Sequence, residues 1–190
     1  GEYEALKAKL VDPQWHPDFG PAEFVKAKHT GATAISARDF LIAYNVNLNT
    51  TSTRRANAVA YDIREKGRIK RVGEVLSGDI VKDADGNTLW TPGKLKHVKA
   101  IGWFIEEYGV TQVTMNITNI TETPLHLAFD ETAKAANARG IRATGSELVG
   151  LVPLSAMLEA GKYFLRKQNR STGIHESELI KIAIKSMGLD

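Results

Sequence analysis

The sequence contains no cysteine, and this absence narrows the chemistry available to it. Without a thiol among its 190 residues, disulfide bonds, cysteine nucleophiles and cysteine metal ligands are excluded. No apolar run approaches the roughly 20 residues that a membrane-spanning helix needs, and no signal-peptide pattern opens the chain. We therefore expect a cytoplasmic protein that does not contact a membrane.

The chain also lacks a large excess of charge of either sign. The formal net charge is only +3, with 25 Lys and Arg against 22 Asp and Glu. Nucleic-acid binding needs basic residues gathered on one face, whereas the densest basic cluster here, at 64–71, fits a solvated helix end and loop. We expect no nucleic-acid partner. The 43% of hydrophobic residues suffices for one globular core.

Metal and nucleotide motifs are absent as well. The five histidines stand alone in sequence, so that no metal-ligand spacing appears; they are His16, His29, His97, His126 and His175. A pair between His126 and Asp130, four residues later, would be a local helix contact. The run from Asp83 to Asn87 lacks the closing glutamate of a calcium loop and predicts a hairpin turn. There is no Walker loop, nucleophile elbow or dinucleotide fingerprint. We predict no metal site.

What the sequence does contain is a strand with two different faces. Apolar residues alternate with asparagine between residues 40 and 49. The apolar set is Phe40, Ile42, Tyr44, Val46 and Leu48, and the polar set is Asn45, Asn47 and Asn49. Alternation with period two predicts a β-strand. Side-chain amides both donate and accept hydrogen bonds, so the second face can line a ligand site.

The order of the predicted elements is βαββαβ. We predict strands at about 39–49, 96–106, 110–120 and 141–149, helices at about 54–66 and 124–140, and an inserted hairpin at 72–92. Two further helices start near Pro153 and Glu176. This order indicates an α+β, ferredoxin-like fold with an antiparallel or mixed four-stranded sheet, an inserted hairpin and extra C-terminal helices.

In such a fold the first and third strands are central neighbours, and both helices cover one sheet face. The other face would carry polar residues from several strands: Asn45, Asn47, Gln112, Thr114, Asn116 and Glu147. An uncovered face meets water, a partner sheet or a ligand. Neutral amides and hydroxyls suit a hydrogen-bonding heterocycle better than a phosphate. An ordinary solvated face or a polar dimer contact is the alternative.

Four segments, in this order and spacing, resemble the formiminotransferase domain (glutamate formimidoyltransferase), which is often fused to a cyclodeaminase. They are PDFGP at 17–21; GAT at 31–33 with AR at 37–38 and FLIAYNVNL at 40–48; GKLK at 93–96 with IGW at 101–103; and GSELVGLVPL at 145–154. The resemblance covers about residues 17–166.

The resemblance implies a domain of two ferredoxin-like halves whose sheets face each other across a tunnel. This chain would be the end of the first half and all of the second, which fits a start without methionine. On this interpretation residues 1–33 end the preceding half and carry a folate-binding loop. Residues 34–152 then form the C-terminal subdomain, and residues 153–190 form C-terminal helices.

The resemblance also implies a reaction. A formimino group would move from N-formimino-L-glutamate to tetrahydrofolate, as a co-substrate, giving 5-formiminotetrahydrofolate and glutamate in histidine degradation. The catalytic histidine would lie in the other half, so we assign no catalytic residue here and expect the chain alone to be inactive. The implied partners are the N-terminal half, a cyclodeaminase and further copies in a homo-oligomer. The alternatives are a formyltransferase relative that uses N-formylglutamate and a non-catalytic ligand-binding or dimerisation module.

The folate-binding residues follow from the same resemblance, and the substrate-binding residues follow from the polar sheet face and from the charge of Arg38. Those expected to bind folate are Asp18, Gly20, Pro21, Ala22, Glu23, Phe24, Gly31 and Glu147. Mammalian members carry glutamine where this chain has Glu147, and a carboxylate there can accept hydrogen bonds from the amino and N–H groups of a pterin. Those expected to bind the amino-acid substrate are Arg38, Asn45, Asn47 and Asn116. Arg38 can grip a glutamate carboxylate with two hydrogen bonds.

Overall fold

The computed structural model of the chain describes residues 6–29, 31–35, 37–74 and 77–189. The chain divides into two units, residues 1–38 and 39–190. In the first unit the described helices are short: α1 (Leu6–Lys9), a 3₁₀ turn (Pro13–Trp15) and α2 (Phe24–Ala27). The domain boundaries predicted at residues 33 and 152 stay predictions.

The second unit is built on a four-stranded antiparallel sheet. In chain order its elements are β1 (Ile42–Leu48), α3 (Thr53–Ile63), β2 (Arg68–Ile69), β3 (Arg71–Val72), β4 (Asp79–Ile80), β5 (Trp90–Thr91), β6 (Val98–Ile105), β7 (Val110–Ile117), α4 (Leu125–Asn137), β8 (Ala143–Val149), α5 (Leu154–Lys167) and α6 (Glu176–Met187). The strand order is β6–β7–β1–β8, with β1 and β7 in the centre. This confirms the predicted fold class and the predicted central pair.

The core lies on one side of this sheet. Ile42, Tyr44, Val46 and Leu48 of β1 are each at most 1% exposed, and they pack with apolar residues of β7, α3 and α4. Phe40 does not join them: it is 76% exposed and precedes β1. The prediction for Phe40 was therefore wrong. The ladder of β1 begins at Ile42, and without a paired strand nothing directs the side chain of residue 40 towards the core.

A hairpin insertion is present, but it begins at Arg68 rather than at the predicted residue 72. It contains two short antiparallel ladders, β2 with β5 and β3 with β4, because the chain pairs with Thr91 and Trp90 directly after Gly67. At its tip Asp83 Oδ1 accepts hydrogen bonds from the backbone N–H groups of Asp85 (3.0 Å) and Asn87 (2.8 Å). These bonds, with that of Asn87 foremost, hold the pKa of Asp83 below its usual range. The carboxylate thus closes a turn, as predicted; Val75 and Leu76 of the insertion lie outside the described residues.

The end of α6 lies along the outer edge of β8. Gly188 ends the helix with φ +59°, and its carbonyl accepts a 2.7 Å hydrogen bond from the backbone N–H of Ser146. The Ser146 hydroxyl donates to the carbonyl of Met187, also at 2.7 Å. These bonds fix the part of β8 that carries Glu147. Among the described residues, no helix has the length and apolar content to cross a membrane.

Candidate functional site

The strand register brings the predicted polar side chains together. Asn45 lies between Thr114 and Glu147 on the neighbouring strands, and Asn47 lies between Gln112 and Gly145. Because side chains alternate along a strand, these residues point away from the face that packs on α3 and α4. We call the set Asn45, Asn47, Gln112, Thr114, Asn116 and Glu147 the polar face.

A hydrogen-bond network joins four members of the polar face. Asn45 Nδ2 donates to Glu147 Oε2 at 3.1 Å. Gln112 Nε2 donates to Asn47 Oδ1 at 2.7 Å and lies 3.5 Å from Glu147 Oε2. Asn45 and Gln112 are 8% and 1% exposed, whereas Glu147 is exposed. The exposed carboxylate of Glu147 is therefore hydrogen-bonded to the buried side-chain amides of Asn45 and Gln112.

Two buried oxygens of the polar face lack partners. Gln112 Oε1 and Thr114 Oγ1 make no hydrogen bond among the described residues. Buried polar atoms in proteins almost always find a partner, in the protein or in water. Gln112 and Thr114 are neighbours on the same face of β7, so the unused bonding capacity is concentrated at one place. Both oxygens are closed off from solvent in this structure.

An exposed aromatic ring flanks the network. Trp103 of β6 is the register partner of Gln112 and is 46% exposed, and Ile101, the partner of Thr114, is 55% exposed. Sequence reasoning assigned Trp103 no role. The alternation in β6 was the available signal, because Val98 and Ala100 are buried while the intervening residues are not. A flat apolar ring beside buried amides suits a heterocyclic ligand.

Gly102 sets the position of Trp103. Its N–H donates to Asn57 Oδ1 at 3.1 Å, and its carbonyl accepts from Asn57 Nδ2 at 2.8 Å. A Cβ built on Gly102 would lie 2.3 Å from the backbone nitrogen of Asn57. The backbone of α3 therefore packs directly against β6 at Gly102, which has no side chain, and this contact prevents the strand from moving closer to the helix.

Asn116 lies on the polar face outside the network. It pairs in register with Ala43, two residues along β7 from Thr114, and its side chain is exposed. It makes no side-chain hydrogen bond within the part of the chain that the structure describes. Its predicted substrate role stays a prediction, as do the substrate roles of Asn45 and Asn47 and the folate-binding role of Glu147.

The remaining predicted site residues belong to the first unit. Asp18, Gly20, Pro21, Glu23 and Gly31 are exposed there, while Ala22 and Phe24 are half-buried. Gly20 and Gly31 have φ values of +88° and +73°, which favour glycine. Glu23 accepts a 3.0 Å bond from Lys26 Nζ, and this bond holds the Glu23 pKa below its usual range. Arg38 ends the unit, and Thr30 of the predicted loop lies outside the described residues.

His126 takes part in a different cluster, between α4 and α5. Its ring stacks on Tyr163 with 4.3 Å between centroids, and burial lowers its pKa. The partners of Asp130 come from α5: Tyr163 Oη donates at 2.5 Å and Lys167 Nζ at 2.6 Å. Within the described ranges, no group of three or more His, Asp or Glu side chains is placed to hold a metal ion.

Comparison with known proteins now identifies the family. A family model described as the formiminotransferase domain matches residues 43–190. The chain belongs to the formiminotransferase-domain family. The match includes the whole polar face, whereas the loop predicted to bind folate precedes it. The resemblance seen in the sequence is confirmed.

Relatives of the formiminotransferase family match along almost the whole chain. The formimidoyltransferase-cyclodeaminase of Dictyostelium discoideum is 42% identical over 189 residues, which are 100% of this chain and 31% of that protein. The protein of the same name from Sus scrofa is 39% identical over 190 residues, again 100% of this chain and 31% of that protein. The glutamate formimidoyltransferase of Thermoplasma acidophilum is 35% identical over 183 residues, 96% of this chain and 51% of that protein. The chain thus spans about a third to a half of these curated relatives.

Proposed function

We propose that this chain supplies a folate-holding wall of a glutamate formimidoyltransferase. Membership of the formiminotransferase-domain family and the names of the relatives support the reaction class. The observation that carries the proposal within the structure is the polar face, where buried amides hold the carboxylate of Glu147 at an exposed sheet surface. The names of the relatives favour a formimino donor over a formyl donor.

Glu147 is the group we assign to the pterin. Its Oε2 atom accepts from Asn45 and Gln112, while Oε1 accepts no hydrogen bond among the described residues. The pyrimidine ring of a pterin offers a ring N–H beside an exocyclic amino group, and a carboxylate can accept from both. Trp103 would supply apolar contact to the rings. Residues at 18–24 and Gly31 would form a folate-binding loop.

The proposed reaction moves one carbon between two nitrogens. N5 of tetrahydrofolate attacks the formimino carbon, the bond from that carbon to the glutamate nitrogen breaks, and the proton lost by N5 passes to the departing nitrogen. The products are 5-formiminotetrahydrofolate and glutamate. Arg38 would pair with a carboxylate of the donor, and Asn116 would contact the same substrate.

The task of this chain in that reaction is positioning. Correct mutual placement of two reactants can supply roughly 7–11 kcal/mol of rate enhancement. A sheet face whose polar groups are fixed by a network serves this purpose. We assign no proton transfer to the histidines here; that step would belong to a histidine on the other half of the domain. A cyclodeaminase partner, a homo-oligomer, a cytoplasmic location and a place in histidine degradation complete the proposal.

A kinetic measurement tests the proposal. The chain is expressed within its full reading frame, and formation of 5-formiminotetrahydrofolate is followed at varied concentrations of each substrate. Glu147→Ala should raise the KM for tetrahydrofolate about tenfold or more, as expected for the loss of charge-assisted hydrogen bonds, and should leave the KM for N-formimino-L-glutamate nearly unchanged. Glu107→Ala, at an exposed turn between β6 and β7, is the control and should behave as the wild type.

Two results would overturn the proposal. One is a protein that folds but shows no formimino transfer. The other is a Glu147→Ala variant whose KM for tetrahydrofolate matches that of the wild type.

A further inference from the structure

Ser146 of β8 uses both of its hydrogen-bond donors on the end of α6. Its backbone N–H donates to the carbonyl of Gly188, and its hydroxyl donates to the carbonyl of Met187, each at 2.7 Å. The last carbonyls of a helix have no partner within the helix and need one outside it. One buried residue, 2% exposed, thus satisfies two consecutive carbonyls at this helix end.

Two glycines allow the helix end to come this close to β8. A Cβ built on Gly188 would lie 3.1 Å from Gly145 Cα, and a Cβ built on Gly145 would lie 3.3 Å from the carbonyl oxygen of Gly188. Gly188 also has the left-handed conformation that favours glycine at the end of a helix. The chain then runs beside β8, where Leu189 forms a parallel bridge with Ser146. The end of α6 therefore takes the place of a neighbouring strand.

The inner edge of β8 gives this strand less support than a regular ladder would. β8 is the outermost strand of the sheet and pairs with β1. The register between the two strands skips Thr144, which is the extra residue of a β-bulge. A bulge interrupts the ladder and bends the strand that carries it. Because Glu147 follows shortly after the bulge, the bonds that Ser146 makes on the outer edge stabilise the segment that presents the carboxylate.

The bonds of Ser146 act on Glu147 through the backbone. Successive residues of a strand direct their N–H and C=O groups to opposite sides. Since the N–H of Ser146 points to α6, the backbone groups of Glu147 point to β1, where Asn45 is its register partner. The 3.1 Å bond from Asn45 Nδ2 to Glu147 Oε2 spans the same two strands. A displacement of β8 would therefore alter the position of the carboxylate and its distance from Asn45.

We propose that Ser146 is a positioning residue of the folate site, which fixes β8 against the end of α6 and thereby keeps the Glu147 carboxylate in place for the ligand. This inference rests on the proposed function, since it concerns the residue that we assign to the pterin. Ser146 acts through Glu147 and does not contact the ligand, because its side chain is buried beside α6 and its register partner Val46 belongs to the core.

The test is a double-mutant cycle in the full reading frame. The KM values for tetrahydrofolate and for N-formimino-L-glutamate are measured for the wild type, Ser146→Ala, Glu147→Ala and the double variant. Ser155→Ala, at an exposed position of α5, is the matched control. Urea denaturation shows whether each variant is folded.

We expect Ser146→Ala to raise the KM for tetrahydrofolate about threefold or more, as coupled residues do, and to leave the KM for the donor nearly unchanged. In the Glu147→Ala background the same substitution should change the KM for tetrahydrofolate by less than about 1.5-fold, because the group that Ser146 positions is gone. A merely structural role would change this KM by the same factor in both backgrounds. Ser155→Ala should match the wild type.

Gly188→Ala is a second variant that disturbs the same contact. Its Cβ would push the helix end away from Gly145. It should raise the KM for tetrahydrofolate as Ser146→Ala does, and it carries the test if Ser146→Ala does not fold.

The outcomes separate the two proposals. If Glu147→Ala raises the KM for tetrahydrofolate but a folded Ser146→Ala variant does not, the role of Ser146 is overturned and the proposed function stands. The same follows if Ser146→Ala has an equal effect with and without Glu147. If Glu147→Ala leaves this KM unchanged, the proposed function fails, and the role of Ser146 fails with it.

Discussion

Asn45 and Glu147 are register partners on β1 and β8, and the Nδ2 atom of Asn45 donates to Glu147 Oε2 at 3.1 Å across 102 residues of sequence. The contact joins two features that the sequence shows separately, the asparagine face of one strand and a lone glutamate in another. Through this hydrogen bond, an amide of the asparagine face fixes the position of the Glu147 carboxylate. The proposed recognition of folate depends on this support.

Tyr44 provides a test of the core. Its side chain is fully buried, and its hydroxyl lies near the Ser146 side chain without making a hydrogen bond of ordinary geometry among the described residues. Because a buried, unpaired hydroxyl costs about 1–3 kcal/mol, Tyr44→Phe should raise the free energy of unfolding by about 1 kcal/mol. Urea denaturation followed by circular dichroism measures the change.

Tyr163→Phe is the comparison variant, because it removes a tyrosine hydroxyl that does have a hydrogen-bond partner. The Tyr163 hydroxyl donates to the buried carboxylate of Asp130, and this bond raises the pKa of Tyr163 to about 12. Its loss should lower the free energy of unfolding by about 1–3 kcal/mol. If both variants changed stability in the same direction, the hydrogen-bond assignments of Tyr44 and Tyr163 would be wrong.

Gly102 tests the contact between α3 and β6. A Cβ there would lie 2.3 Å from Asn57 N and 2.4 Å from the carbonyl carbon of Ala56, and neither backbone atom can rotate away. Gly102→Ala should therefore lower the free energy of unfolding by about 2 kcal/mol or more, as overpacking does. Gly173→Ala is the control, since its Cβ meets only Ser171 Oγ at 3.6 Å, and should stay within about 0.5 kcal/mol of the wild type. Comparable thermal melts for the two variants would refute the close approach.

The lowered pKa of His126 predicts that the stability of the protein depends on pH. Burial lowers its pKa from the ordinary value, outweighing the opposite effect of Glu159 and Asp130, and Arg166 adds to the lowering. The unfolded chain therefore binds more protons than the folded one once the pH falls below about 6.5, and the free energy of unfolding falls with it. Above that pH the imidazole is neutral in both states and the contribution is constant.

The measurement compares urea denaturation at pH 7.5 and pH 5.5. His126→Phe keeps the stacking on Tyr163 and removes the titration, so its stability should fall less than that of the wild type over this interval. His29→Gln, at an exposed position, should keep the wild-type dependence. An identical loss of stability in the wild type and in His126→Phe would argue against a lowered pKa of the half-buried imidazole.

The elements of the fold were predictable because their signals are local. Period-two alternation placed Asn45 and Asn47 opposite the core, and the order of elements placed β1 beside β7. Phe40 shows the limit of alternation, because a strand begins where a neighbour pairs with it. The partners of Asp130 were likewise set by the packing of α5 on α4 rather than by the four-residue spacing to His126.

The details of the site depend on contacts between strands and were less predictable. Alternation placed Gln112 on the polar face, but its contacts with Asn47 and Glu147 join residues that are distant in sequence. The register of β6 with β7 places Trp103 beside Gln112. The folate role of Glu147 was suggested by the family resemblance, and the register then placed this residue beside Asn45.

The most direct test of the account is a calorimetric titration of 5-formyltetrahydrofolate into the protein in its full reading frame, with Glu147→Ala and Asn45→Ala beside the wild type. The account predicts binding by the wild type, weakened about tenfold or more by Glu147→Ala and less by Asn45→Ala, which only supports the carboxylate. Binding that neither substitution weakens would contradict a folate site on the polar face. Absence of binding by the folded wild type would contradict the proposed function itself.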